Sequence, residues 1–256
     1  MATPLIAIDK VGKSYAGGAA LSGVSIDIAA GDFIALVGTS GSGKTTTLKT
    51  INRLVDPDVG EVRLEGRPVG EQSGPQLRRG IGYVFQGVGL FPHLTIGENI
   101  GATPRLLRWT EADIAARIAE LLALVALPQS YAARFPDALS GGERQRVGVA
   151  RALAARPRVM LMDEPFGALD PVTRIELGDA YRALHDSLGL TTVMVTHDVS
   201  EAVLLADRLV VMKGGRVLAD DTPRNLLAGS ADPDVAALMA SPRRQADRVA
   251  ALMAGA

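Results

Sequence analysis

The chain has 256 residues, 47% of them apolar, which is the upper end for one compact domain and points to one large unit with a full core and a subdomain inserted in it. With 27 Lys and Arg against 28 Asp and Glu, the net charge of -1 argues against nucleic acid as the main partner, and the lack of cysteine excludes disulfides, Cys-ligated zinc and iron–sulfur clusters. The N-terminus MATPLIAIDK lacks a signal peptide's basic start and apolar stretch, and no run reaches the roughly 18 apolar residues of a bilayer span, so a soluble, intracellular chain is expected.

Short β-type runs dominate the start, at 5–8, 24–28, 33–37, 61–64 and 81–85. Several alternate apolar and polar residues between Gly or Asp-Pro turns, as antiparallel or mixed sheet requires. The run 33–37 leads into GTSGSGKT, from Gly38 through Thr39, Ser40, Gly41, Ser42, Gly43 and Lys44 to Thr45, which fits G-x-x-x-x-G-K-[ST] without a mismatch. The glycines at 38, 41 and 43 let backbone amides turn inward around phosphate oxygens. A helix-compatible stretch, 45–54, follows through Thr45 and Thr46 and adds the partial positive charge of a helix N-terminus. Lys44 would reach the β- and γ-phosphates and Thr45 would ligate Mg²⁺. A Gly/Ser-rich surface turn is the bland alternative, and the strand before and helix after weigh against it.

The middle reads as helical. Thr110 to Asp113 resembles a capping box, with Ile114, Ile118, Leu121, Leu122 and Val125 on one face and Pro128 ending the segment. A second helix is expected over 141–155, opened by LSGGE from Leu139 to Glu143, in which Ser140 and Glu143 would close another capping box. Gly141 and Gly142 in a first helical turn cost roughly 1 kcal/mol each relative to alanine. Bare backbone at a positive helix end is what a close phosphate needs.

The runs at 159–162, 192–195 and 209–212 are almost continuously apolar and suit parallel strands buried on both faces. Asp170-Pro171 and Asp198 to Glu201 are N-cap patterns for intervening helices. The succession predicts a doubly wound parallel sheet with a helical insertion over roughly 88–154. The run 159–162 delivers Asp163 and Glu164 at a strand end, where ligands of open α/β sheets sit. Asp163 would hold Mg²⁺, usually through water, and Glu164 would polarise an attacking water. The alternative is a solvated acidic turn; the phosphate loop favours function. Two phosphate-type loops but one acidic pair suggest a nucleotide shared between copies.

On these motifs the chain resembles an ABC ATPase over essentially its whole length. The loop from Gly38 is similar to Walker A, the acidic pair to Walker B, and Leu139 to Glu143 to the LSGGQ signature, with Glu143 in place of Gln. The resemblance implies an α/β, P-loop NTPase (RecA-like) core with an N-terminal antiparallel β subdomain, formed by 1–87 and 155–240. It also implies a helical signature subdomain at 88–154 and a short C-terminal tail, 241–256, that could form one amphipathic helix. Tyr15 matches the aromatic that stacks on adenine, Gln86 the Q-loop glutamine that senses Mg²⁺ and the γ-phosphate, and His197 the switch histidine. Ala168, Leu169 and Asp170 match the D-loop, although Asp170 is also a good N-cap. Without the resemblance, Gln86 reads equally as a strand-end residue, and a lone His is more often structural. His93 and His185 read as surface residues. The implied assembly is a head-to-tail dimer binding two ATP, with Ser140, Gly141 and Gly142 of one copy completing the phosphate shell of the other.

ABC ATPases of chromosome structure insert long coiled coils between the Walker motifs, excision-repair members carry zinc cysteines, and translation-type members fuse two ATPase units; this sequence has none of these features. The transporter class fits better. GVGLFPHLTI, from Gly87 to Ile96, is either a loop tucked into the core or part of an apolar groove receiving a coupling helix from a membrane permease near Gln86 to Ile96. RGIGYVFQ up to Gln86, GLFPH up to His93 and GENI up to Ile100 resemble ATPases of the quaternary-amine importers, which take up glycine betaine, choline and related osmoprotectants. That resemblance implies a peripheral protein at the cytoplasmic face of the plasma membrane, indirectly served by an extracytoplasmic solute-binding protein. Amino acids, methionine or polyamines are the alternative cargoes, and a nucleic-acid ABC ATPase is the remaining alternative.

Overall fold

The computed structural model describes residues 3–167 and 169–254. In chain order its strands are β1 (Ile6–Tyr15), β2 (Gly18–Ile28), β3 (Phe33–Val37), β4 (Val59–Leu64), β5 (Arg67–Pro68), β6 (Ile81–Val84), β7 (Val159–Asp163), β8 (Thr191–Val195), β9 (Arg208–Lys213) and β10 (Arg216–Asp221). Its helices are α1 (Lys44–Ile51), α2 (Gly74–Arg79), α3 (Ile96–Leu106), α4 (Glu111–Leu124), α5 (Gly141–Leu153), α6 (Pro171–Leu188), α7 (Val199–Leu205), α8 (Pro223–Ala228) and α9 (Pro233–Ala254).

Alternation near the N-terminus builds an antiparallel sheet in the order β2-β1-β4-β5. Ile6 lies opposite Ile28 and Leu64, and Ile8 opposite Ile26 and Val62, so one face is apolar. β1 and β2 run well beyond 5–8 and 24–28, because irregular pairing around Val11 and Lys13 breaks the simple alternation. The runs at 33–37 and 81–85, read with the others as antiparallel or mixed sheet, enter a second, mixed sheet ordered β10-β9-β3-β8-β7-β6. There β9, β3, β8, β7 and β6 are parallel, and β10 returns antiparallel through a tight Gly214-Gly215 turn. β6 stops at Val84, leaving Phe85 and Gln86 beyond the strand.

The parallel sheet is buried on both sides, which explains its continuous apolar runs. Phe33, Ala35 and Val37 pack into a core shared with the helices. Ile34 and Leu36 pack with Leu48 and Ile51 of α1 and with the antiparallel sheet. Each fully buried Phe, Val, Ile or Leu among them contributes about 1.5–3 kcal/mol.

α3, α4 and α5 lie between β6 and β7 in sequence. Thr110 accepts from the Asp113 amide, but the Asp113 carboxylate takes the Thr110 hydroxyl, not its backbone N–H. Aspartate is one methylene too short to close the box that Glu98 closes on Thr95 at α3. α4 ends at Leu124, and Ala126 is left-handed at φ 52, so the helix stops before Pro128. Ile118 is only half-buried, whereas Arg117 is buried and donates to the Leu153 and Ala154 carbonyls at 2.7 and 3.3 Å, capping the end of α5. α5 accordingly finishes at Leu153, short of 155.

α9 begins at Pro233 and continues through Pro242, so the expected helix over 241–256 is the end of a longer one anchored by buried Val235 and Met239. Residues 255–256 lie outside those described. Among the described residues no helix is long and apolar enough to cross a membrane. The architecture is an α/β P-loop NTPase fold with an antiparallel β portion and a helical portion.

Candidate nucleotide site

Two glycines of the loop between β3 and α1 leave no room for a side chain. Gly38 has φ +148, and a Cβ there would stand 2.1 Å from the Met212 carbonyl oxygen; at Gly43, φ +98, it would stand 2.6 Å from that of Ala20. α1 then starts at Lys44 and ends at Ile51, earlier than 54. The Lys44 ammonium donates to the Gly38 and Thr39 carbonyls at 2.8 and 2.9 Å and to Ser42 Oγ at 3.3 Å. Burial lowers its pKa, opposed by the Glu164 and Asp163 carboxylates.

β7 carries Asp163 into the interior, where Thr45 Oγ1 donates to Asp163 Oδ1 at 2.9 Å. Burial raises the Asp163 pKa, and the Thr45 hydrogen bond opposes that rise. Glu164 follows with φ 49, a left-handed backbone costing a non-glycine residue about 1–2 kcal/mol. Its amide donates to the Val195 carbonyl at 2.9 Å, tying the turn to β8. Its Oε2 accepts from Gln86 Nε2 at 3.1 Å, and its Oε1 stands 3.5 Å from His197 Nδ1, a close approach, not a full hydrogen bond.

A cleft of about 400 Å³ is lined by Tyr15, Ala20, the loop from Ser40 through Gly41, Ser42, Gly43, Lys44 and Thr45 to Thr46, and by Gln86, Glu164, Val195 and His197. Gly38, Thr39 and Asp163 stand behind this lining. Tyr15 is exposed at the cleft, with the Lys13 ammonium 5.7 Å from its ring centre. Ser140, Gly141 and Gly142 do not line the cleft. They open α5, where Ser140 and Glu143 form the full capping box. Tyr131 also donates to Glu143 Oε1 at 2.9 Å. The Ser140 amide and hydroxyl and the Tyr131 hydroxyl, in that order, hold the Glu143 carboxyl below its ordinary range.

The segment from Gly87 to Ile96 is tucked into the core only in part. Val88 and Ile96 are buried, while Phe91 and His93 are exposed. Phe85, Gly89 and Phe91 join Leu54, Leu106 and Arg151 around a groove of about 410 Å³. Two residues unforeseen from the sequence hold this segment. Buried Asn99 accepts from the Phe91 amide and donates to the carbonyls of Phe91, Leu94 and Thr95. Arg151 donates to the Val88 and Gly89 carbonyls at 2.9 and 2.7 Å. An asparagine among apolar helix positions was the only available signal for the first.

His185 corrects the surface expectation. It is 1% exposed, with Nδ1 at 2.9 Å from Thr192 Oγ1 and Nε2 at 3.1 Å from the Gly31 carbonyl. It sits on the inner face of α6, against Phe33. Asp170 is an N-cap, accepting from the Thr173 amide at 3.0 Å; Leu169 is buried, and Ala168 lies outside the described residues.

The profile of the ABC transporter family matches residues 21–167. The choline transport ATP-binding protein OpuBA of Bacillus subtilis (strain 168) is 48% identical over 229 residues, covering 89% of this chain and 60% of that protein. The glycine betaine uptake system ATP-binding protein YehX of Escherichia coli (strain K12) is 47% identical over 228 residues, covering 89% of this chain and 74% of its own. The chain thus spans about 60% of the length of OpuBA. Among solved structures, the dimeric post-hydrolysis state of the ATP-binding cassette MJ0796 bound to ADP and Pi superposes with a TM-score of 0.79 at 34% identity, over 86% of this chain and 99% of that one. The chain belongs to the ABC transporter family, as one of its ATP-binding cassettes.

Proposed function

We propose that this chain is the ATP-hydrolysing subunit of an ABC importer for glycine betaine, choline or related osmoprotectants, working as a head-to-tail dimer. The observation that carries the enzymatic part is the convergence of Glu164, Gln86 and His197 on one face of the phosphate-loop cleft. The cargo assignment draws on the likeness to OpuBA and YehX.

Thr45 Oγ1 and Asp163 Oδ1, hard oxygens 2.9 Å apart at the end of β7, fit a magnesium ion. Among the described residues no cluster of three His, Cys, Asp or Glu side chains could hold a metal alone, which suits an ion completed by phosphate oxygens and water. Bound there by Thr45 and Asp163, Mg²⁺ would neutralise charge on the nucleotide's phosphates.

Tyr15 would stack on the adenine, and the amides of the loop from Gly38 to Thr46 would hold the phosphates. Lys44 would exchange its loop carbonyls for β- and γ-oxygens. Glu164 orients a water in line with the γ-phosphorus and accepts its proton as the new P–O bond forms and the bond to the bridging oxygen breaks, giving ADP and phosphate. Gln86 and His197 hold the Glu164 carboxylate and the transferring group in register. Ser140, Gly141 and Gly142 act on the γ-phosphate of the other copy, in keeping with their absence from the cleft of their own chain. The groove bounded by Phe85, Phe91 and Leu106 receives an apolar helix of an integral membrane permease, holding the protein at the cytoplasmic face.

Glu164→Gln should lower turnover by roughly 10²–10⁴-fold, the worth of a general base, with ATP still bound. Near-normal hydrolysis in that variant would overturn the assignment. Tagged Glu164→Gln protein with ATP should recover a permease from solubilised membranes, and the solute-binding protein encoded beside it should bind glycine betaine or choline. Recovery of only nucleic-acid-associated partners would overturn the transport reading.

A further inference from the structure

One polar cluster outside the cleft has no part in the chemistry above. Arg174, near the start of α6, donates through Nη2 to the Leu169 carbonyl at 3.2 Å, and its Nη1 meets Asp198 Oδ2 at 3.2 Å. Asp198 directly follows His197. Its Oδ1 caps α7 by accepting from the Ser200 and Glu201 amides at 2.9 and 3.2 Å, and its own amide donates to Thr196 Oγ1 at 3.0 Å. On the other side, Leu169 packs against the signature, since a Cβ on Gly142 would stand 3.1 Å from Leu169 Cδ2. The Leu169 amide donates to the Phe166 carbonyl at 3.1 Å, and that of Gly167 to the Glu164 carbonyl at 3.3 Å, so the same turn leads straight back to Glu164.

Gly142, Leu169, Arg174, Asp198 and His197 therefore form one line of neighbours, in space or along the chain, running from the signature to the hydrolytic groups. A planar guanidinium suits its centre, because its fixed fork sets the separation of a carbonyl and a carboxylate, which a flexible ammonium does not. We propose that Arg174 is a positioning residue for hydrolysis: it clamps the turn after Glu164 to the loop carrying His197, so that the seating of Gly142 on one nucleotide sets the geometry around the other. This rests on the dimeric ATPase reading above.

The test uses the full chain with Arg174→Ala, Arg174→Lys and Asp198→Asn, the last keeping an oxygen for the α7 cap. ATP affinity of the monomer and melting temperature should stay near those of the parent chain. Turnover should fall about 10- to 100-fold, the usual effect of misplacing a reacting group by an ångström. The Hill coefficient for ATP should drop from about two, the number of coupled sites, toward one, a readout that a purely structural role would not move. A folded Arg174 variant with parental turnover and cooperativity overturns the proposal. If the Arg174 variants fail to fold, Asp198→Asn decides by the same two readouts. Absence of ATP-dependent dimerisation in the parent chain itself would instead overturn the dimeric reading, and the clamp with it.

Discussion

Gly141 offers a test in which stability and activity should move in opposite directions. It opens α5 outside the left-handed region of φ, and a Cβ placed on it meets nothing within 4 Å. No contact inside the chain therefore requires glycine there. Alanine at a helical position is favoured over glycine by about 0.5–1 kcal/mol, which for a chain of this size raises Tm by roughly 1–4 °C. If the bare backbone exists to let a partner's γ-phosphate approach, the added methyl group disturbs that approach. The loss should resemble removal of one aligned backbone donor, about 10²-fold in turnover. Gly141→Ala is thus expected to melt slightly higher by calorimetry without nucleotide, yet hydrolyse ATP far more slowly and dimerise poorly in the Glu164→Gln background. Full turnover in Gly141→Ala would refute the trans-phosphate argument, and a lower melting temperature would refute the helix argument.

Asn99→Ala should cost about 1–3 kcal/mol in urea denaturation, because it strands the Phe91 amide and the Leu94 carbonyl, whereas the Phe91 and Thr95 carbonyls keep the Leu94 and Asn99 amides. Lys44→Ala should weaken ATP binding measured by calorimetry, and unchanged affinity would remove Lys44 from the site. His185 sets an acid limit: burial, and then Arg182, hold its pKa below the ordinary value, so the unfolded chain takes up its proton first as pH falls. Its contribution is therefore complete above pH about 6.5 and is lost as pH drops toward the folded value, by at most about 1.4 kcal/mol per pH unit. Melting curves between pH 5 and 7.5 should show that slope reduced in His185→Gln.

The glycine turn into α1, the acidic pair at the end of β7 and the capping box of Ser140 and Glu143 were legible because each is local: contiguous residues with the geometry written into their spacing. The parallel strands were equally plain, since burial on both faces leaves an unbroken apolar run. The longer reach of β1 and β2 was hidden by their irregular pairing, and the placement of β3 and β6 in the parallel sheet depended on partners far along the chain. The burial of His185 and the grips of Arg151 and Arg174 were invisible for the same reason. Each joins segments separated in sequence, and a single polar residue carries no sign of which distant carbonyl it meets. The φ of Glu164 was also beyond reach, because glutamate gives no hint of a left-handed backbone.

That last feature sets two engineering goals against each other. A design procedure asked only to fit residues to this backbone would write glycine or asparagine at 164, where φ is 49. A library sorted for heat resistance, with no demand for turnover, should enrich the same two residues at that position. Thermostabilised versions of the chain obtained this way would be stable, well-folded nucleotide binders that have lost their carboxylate, so position 164 must be fixed before any such sorting begins.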